Sequence, residues 1–263
     1  MDFSTYTNSI LTLTTAQVQA LTKSELTSLT TAQATVVDAT FIGALLSTQI
    51  SGIAVEDLAL FTTTAINSIS QNQVAGLSQA QIVALTTMQV GVLNNNAIEV
   101  LSKYQIQAFT TDQISNLNTA FLNALTENQI TYLELADVAV LSSTAIAGLA
   151  SANLQSLTLN QVRALTTQQI SNFSTATLLA LTTVQIPVLS TSGLSILTDE
   201  NLSVFTTAQI QSLSTRQIAG LSTQQFSQIT SSSLRALTQS QIAAIETTDL
   251  VALTPDSLAV LKT

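Results

Sequence analysis

Histidine, cysteine and tryptophan are all missing from this 263-residue chain, and proline occurs only twice. Without cysteine no disulfide contributes, and the redox compartment leaves no trace in the sequence. Without histidine or cysteine most general-base, nucleophilic and zinc arrangements have no residues to use. Paired carboxylates could still do chemistry. The only adjacent pairs, Glu56-Asp57 and Asp199-Glu200, read instead as carboxylates on solvated helix starts. No glycine-rich phosphate loop occurs. The expectation is a protein that is not an enzyme and holds no cofactor and no metal.

Charge is scarce too. Asp, Glu, Lys and Arg make up 8% of the chain, with 15 acidic residues against six basic and a net charge of −9. Ordinary soluble domains carry about 25% charged residues. Lys23, Lys103, Arg163, Arg216, Arg235 and Lys262 are scattered, whereas neutralising nucleic-acid phosphates needs clustered cations. No nucleic-acid partner is expected. Long apolar runs are absent: stretches such as Ile42 to Leu46 are far too short to insert in a membrane. Residues 1–7 lack the basic start and apolar core of a secretory signal. The location these features predict is extracellular or on a cell surface, by a route without an N-terminal signal, with the cytoplasm as the alternative.

What is abundant is repetition. From Leu13 to Leu261 every eighth residue is apolar, 32 positions without exception, and a second apolar slot follows five residues after each, from Val18 to Leu258. With the first slot numbered 0, slot 1 is Ser, Thr, Asn or Asp in 26 of 32 repeats and slot 4 is Gln in 16 of 31, giving the consensus L-T-T-x-Q-I-x-A. Ser or Thr followed three residues later by Gln is a helix capping box. The apolar residues at slots 0 and 5 have the spacing of the hydrophobic staple that accompanies it. Of the 14 acidic residues from Glu25 onward, 13 fall at slots 1 to 4, where a helix dipole favours negative charge. Pro255 sits at a first helical position, whereas Pro187 sits at slot 6 and should distort its helix. Gly52, Gly76, Gly148 and Gly220 fall at slot 7, where each helix must end.

These spacings predict an all-α solenoid of very short N-capped helices. Residues 1–12 form a lead-in partly in register, and residues 13–263 a single continuous octapeptide array. Such short helices are unstable alone and must stack on neighbours. At slot 0, Phe61, Phe109, Phe173 and Phe205 fall in one set of alternate repeats and Ile53, Ile69, Ile229 and Ile245 in the other. That alternation predicts a 16-residue coil of two helices. A β-solenoid is the competing fold, but strands need apolar residues at i and i+2, which the five-plus-three spacing does not supply.

Two further patterns recur at fixed slots, and both read first as ordinary solvated helix starts. Asp57, Asp137 and Asp249 share slot 4, yet they lie many repeats apart, and calcium requires six to eight oxygens in one place. Hydroxyls at slot 2, as at Thr15, Thr31, Thr63 and Thr111, could line a lateral face that binds a glycan, a protein or ice, or could simply be solvated.

Two resemblances can be drawn. Leu237-Thr238-Gln239-Ser240-Gln241-Ile242-Ala243-Ala244-Ile245 is similar to the opening helix of the repeats of transcription-activator-like effectors, which bind DNA. The remainder of that longer repeat, including its base-reading loop, has no counterpart here. Over its whole length the chain resembles the Leu/Thr-rich LTTxQI octapeptide tracts of large bacterial surface and adhesin-like proteins, which implies an extracellular structural role. The expected function is therefore a rigid structural rod that self-associates end to end into filaments through Phe3, Tyr6, Ile10, Leu258 and Leu261. The alternatives are a binding module for glycan, protein or ice, and a stalk segment of a larger adhesin.

Overall fold

The computed structural model describes residues 10–261. They form thirty α-helices of four to six residues, with 3-10 turns at Ile10–Thr12 and Ile186–Val188, and no strand occurs among the described residues. The fold is an all-α solenoid. It divides into two compact units, Met1–Leu141 and Ser142–Thr263.

Each octapeptide builds one helix in the way its sequence dictates. The slot-1 residue is extended, as at Thr86 (φ −69°, ψ 159°), and its side chain accepts the Gln89 N–H. The Gln89 side chain reaches back to the Thr86 N–H at 2.8 Å. Every described repeat with Ser or Thr at slot 1 and Gln or Glu at slot 4 closes this reciprocal box, as do Thr14 with Gln17, Thr22 with Glu25 and Ser214 with Gln217. One turn later the slot-5 and slot-0 side chains enter the core: Ile82 and Leu85 are buried in the first unit, Phe226 and Ile229 in the second. Phe121 takes the place of glutamine at slot 4 and packs edge-on against Phe109, with ring centroids 5.8 Å apart.

The coil is longer than the Phe and Ile alternation suggested. Helices three apart in the chain lie side by side. In the first unit α1 (Thr15–Gln19) packs on α4 (Ala39–Ala44), and α4 on α7 (Thr63–Asn67). In the second, α17 (Ser143–Ala147) packs on α20 (Thr167–Ser171), and α26 (Thr223–Ser227) on α29 (Thr247–Ala252). The turn is thus three octapeptides, 24 residues, rather than the expected 16-residue pair. The physical reason lies in the hydrogen bonds of the seam, described below, which reach 28 and 31 residues back along the chain. A two-helix coil would not bring those partners together.

The slot-7 glycines also have a different cause from the one expected. Gly76, Gly148 and Gly220 have φ of −83°, −92° and −95°, and no described residue has a positive φ. No left-handed helix end is being accommodated. A Cβ on Gly76 would stand 2.6 Å from the Ser47 carbonyl oxygen, and one on Gly220 2.2 Å from Thr191 Cγ2. At Gly76 and Gly220 the preceding coil passes too close for a side chain. Gly43, inside α4, meets nothing within 4 Å. Gly76→Ala should therefore destabilise the first unit by about 1–3 kcal/mol through forced backbone displacement. Gly43→Ala should stabilise it by about 0.5–1 kcal/mol through helix propensity. Urea denaturation of the two variants checks the opposite signs.

Pro187 distorts its repeat as expected. It has no N–H to give and its ring crowds the carbonyl four residues back, so Ile186–Val188 is a 3-10 turn where every other repeat between Thr15 and Val260 has an α-helix. Gln185 and Ile186 keep their buried positions.

Candidate functional site: the seam between coils

Glutamine at slot 4 does more than cap its own helix. Gln113 is 2% exposed. Its Oε1 accepts the Thr110 N–H at 2.8 Å. Its Nε2 donates across the seam to the Ile82 and Leu85 carbonyls, at 2.8 and 2.6 Å. Gln81, Gln89 and Gln105 repeat the arrangement in the first unit. Gln209, Gln217 and Gln225 repeat it in the second. Each amide sits in the one place where two carbonyls of the preceding coil converge. The slot-0 carbonyl is left free by its own short helix, and leaving such a group buried and unpaired would cost about 1–3 kcal/mol.

In three repeats that lack glutamine at slot 4, another donor serves the same carbonyl. With Ala65 at slot 4, Thr62 Oγ1 donates to the Val37 carbonyl at 3.3 Å. With Ala97 there, Asn94 Nδ2 donates to the Ile69 carbonyl at 2.8 Å. Asn201, one methylene shorter than glutamine, still reaches the Phe173 carbonyl at 2.9 Å.

The aspartates at slot 4 break this rule, because an ionised carboxylate has no proton to donate. Asp57 was expected on a solvated turn, but it is 5% exposed. Asp249 is 2% exposed; its Oδ1 accepts from Thr223 Oγ1 at 2.8 Å. Its Oδ2 is buried without a hydrogen-bond partner. Burial pushes the Asp57 carboxyl above its ordinary value of 3.8, with the neighbouring Glu56 charge adding to the shift. Burial likewise raises Asp137, against the lowering effect of the Glu134 N–H that it accepts. A carboxylate whose folded pKa is raised adds stability below its ordinary value and loses it as pH rises through the raised one. Asp57→Asn should therefore flatten the pH dependence of first-unit stability as pH rises above the ordinary aspartate value of 3.8, as read from thermal melts on either side of it.

The residues expected to form an end-to-end interface are placed unevenly. Phe3 and Tyr6 lie outside the described residues. Ile10 is 1% exposed, on a 3-10 turn packed against α4, so its side chain is not offered to a partner. Leu258, on α30 (Pro255–Val260), and Leu261 just beyond it are both half-buried. They belong to a wider pattern. The slot-5 residues from Ile146 to Leu234 are all buried, whereas those of the coil formed by α28 (Gln239–Ala243), α29 and α30 are Ile242, Leu250 and Leu258, all half-buried. In α1 of the first unit, Gln17 Oε1 serves Thr14, but Gln17 Nε2 makes no hydrogen bond among the described residues.

Among the described residues no group of three Asp or Glu side chains is placed to hold a metal ion. No described helix is long and apolar enough to cross a membrane. No protein-family model matches this chain, and no curated protein is significantly similar to it.

Proposed function

We propose that this chain is a structural repeat protein, a scaffold whose copies join end to end through the same seam that joins its coils. The observation that carries this reading is the half-buried row Ile242, Leu250 and Leu258. It is the apolar face on which a following coil would rest, and a second copy can supply that coil. The α1 helix of the first unit offers the complement, a Gln17 amide with a donor to spare among the described residues. A contact between two different faces does not close on itself, so repetition gives a filament. The resemblance to octapeptide tracts of bacterial surface proteins favours a cell-surface or extracellular setting.

Sedimentation velocity over a concentration series tests the proposal. The expected result is a mass that grows with concentration, and a Leu258→Asp variant that stays monomeric over the same range. A chain that remains monomeric at the highest concentration, or a Leu258→Asp variant that associates as before, overturns it.

A further inference from the structure

The second unit contains one place where a departure from the repeat and a concentration of positive charge coincide. Pro187 and Val188 form one wall of a groove of about 430 Å³, also lined by Arg163, Arg216, Ser190 and Thr191. Only three arginines occur in the chain, and two of them meet here with no carboxylate in the lining. In a protein of net charge −9, two cations without an acidic neighbour mark a local reversal of sign.

The donors are available. Arg163 Nη1 is steadied by Asn160 Oδ1 at 2.9 Å, and the other guanidinium nitrogens have no hydrogen-bond partner among the described residues. The Arg216 guanidinium makes no hydrogen bond or ion pair among the described residues. Ser190 Oγ accepts the Gly193 N–H at 3.0 Å. Because slot 4 of that repeat is glycine and not glutamine, no capping box claims the Ser190 proton. Thr191 has its methyl directed at Gly220, where a Cβ would sit 2.2 Å from Cγ2, and its hydroxyl has no partner among the described residues. Pro187 replaces an α-helix by a 3-10 turn, the one such departure between Thr15 and Val260. A local rule broken in an otherwise regular array is where function is to be sought.

We propose that this groove binds a tetrahedral oxyanion, a phosphate or sulfate group, between Arg163 and Arg216. Guanidinium forks match the paired oxygens of such groups, and charge-assisted hydrogen bonds of this kind are about twice as strong as neutral ones. The Ser190 and Thr191 hydroxyls add neutral donors.

The test is a titration of the whole chain with inorganic phosphate and, separately, with inorganic sulfate at fixed ionic strength. The arginine Nε–H resonances are followed by ¹H–¹⁵N NMR. Arg235, which does not line the groove, serves as the internal control. The expected result is saturable shifts at Arg163 and Arg216, none at Arg235, and about tenfold or greater loss of affinity in the Arg163→Gln/Arg216→Gln variant. The tighter of the two ions then names the ester that the groove prefers. Weak, non-saturating shifts alike at all three arginines, or unchanged binding in the double variant, would overturn the proposal. So would acetate binding more tightly than either tetrahedral ion.

Discussion

Gln113→Glu should destabilise the first unit by about 3–5 kcal/mol at neutral pH, although it exchanges a single amide nitrogen for oxygen. One oxygen of the new side chain can still accept the Thr110 N–H, as Oε1 does now at 2.8 Å. The other replaces a donor that lies 2.8 and 2.6 Å from the Ile82 and Leu85 carbonyls. Three oxygens would then face one another in a place that is 2% exposed, with no proton between them. Burial and the facing carbonyl dipoles both disfavour the charged form, so the folded pKa of the new carboxyl rises. The sign follows: the variant is closest to wild type below the ordinary glutamate value and loses stability as pH rises through the raised one. Gln113→Ala, which removes the donor without adding charge, should cost about 1–3 kcal/mol at every pH. Urea denaturation at pH 4 and pH 7 separates the two. Equal losses for Gln113→Glu at both values would mean that the seam tolerates a buried carboxylate.

The converse change should stabilise. At Asp249 the seam already holds the carboxylate that Gln113→Glu would introduce, with Oδ2 buried and unpartnered. Counting back 28 and 31 residues, as the other glutamines do, places the Leu221 and Ile218 carbonyls within reach of an amide there. Asp249→Gln removes an uncompensated buried oxygen and adds two hydrogen bonds across the seam, an expected gain of about 2–3 kcal/mol for the second unit. Asp249→Asn should fall between the two, because Asn201 shows that the shorter amide reaches only the slot-0 carbonyl, here that of Leu221. Thermal melts of the three proteins should rank Gln above Asn above Asp. A loss on Asp249→Gln would mean that the carboxylate is held by something that the two carbonyls and Thr223 do not supply.

Much of this fold is legible in single repeats. Thr86, Gln89 and Val90 announce a cap, a capping box and a buried slot by spacing alone, and the helix Thr87–Gly91 follows them. The second task of Gln89 is not legible in that way. Its acceptors at Leu58 and Phe61 are distant in sequence, and nothing local to Gln89 names them. The coil length lies between these cases. Phe and Ile alternate by parity at slot 0, but both are simply buried there, so the alternation records no geometry. The slot-7 glycines carried the better signal. Gly52, Gly76, Gly148 and Gly220 are separated by 24, 72 and 72 residues, whole multiples of the true coil. Reading them as helix-end glycines hid this period, because a helix-ending glycine says nothing about the neighbouring coil whereas a crowded one does. Of the candidate interface, Leu258 and Leu261 were legible as slot residues. The exposure they share with Ile242 and Leu250 depends on which coil covers which, and so required the coil length. Arg163 and Arg216, 53 positions apart, give no hint in sequence that they share a groove.

The fixed reach of the seam bears on how such a chain comes into being. A slot-0 carbonyl is satisfied by an amide 28 residues further on, so a coil emerging from the ribosome stays provisional until the next has followed it out. Each closure spans a similar loop however many coils precede it, so its entropic penalty does not grow with chain length. Relative contact order then falls as coils are added, and folding should advance as a zipper at steady pace, trailing synthesis by about one coil. A duplication of whole coils would join such a chain without slowing it, whereas an insertion that is not a whole number of octapeptides would set glutamine and carbonyl out of register wherever the 28-residue reach spans it.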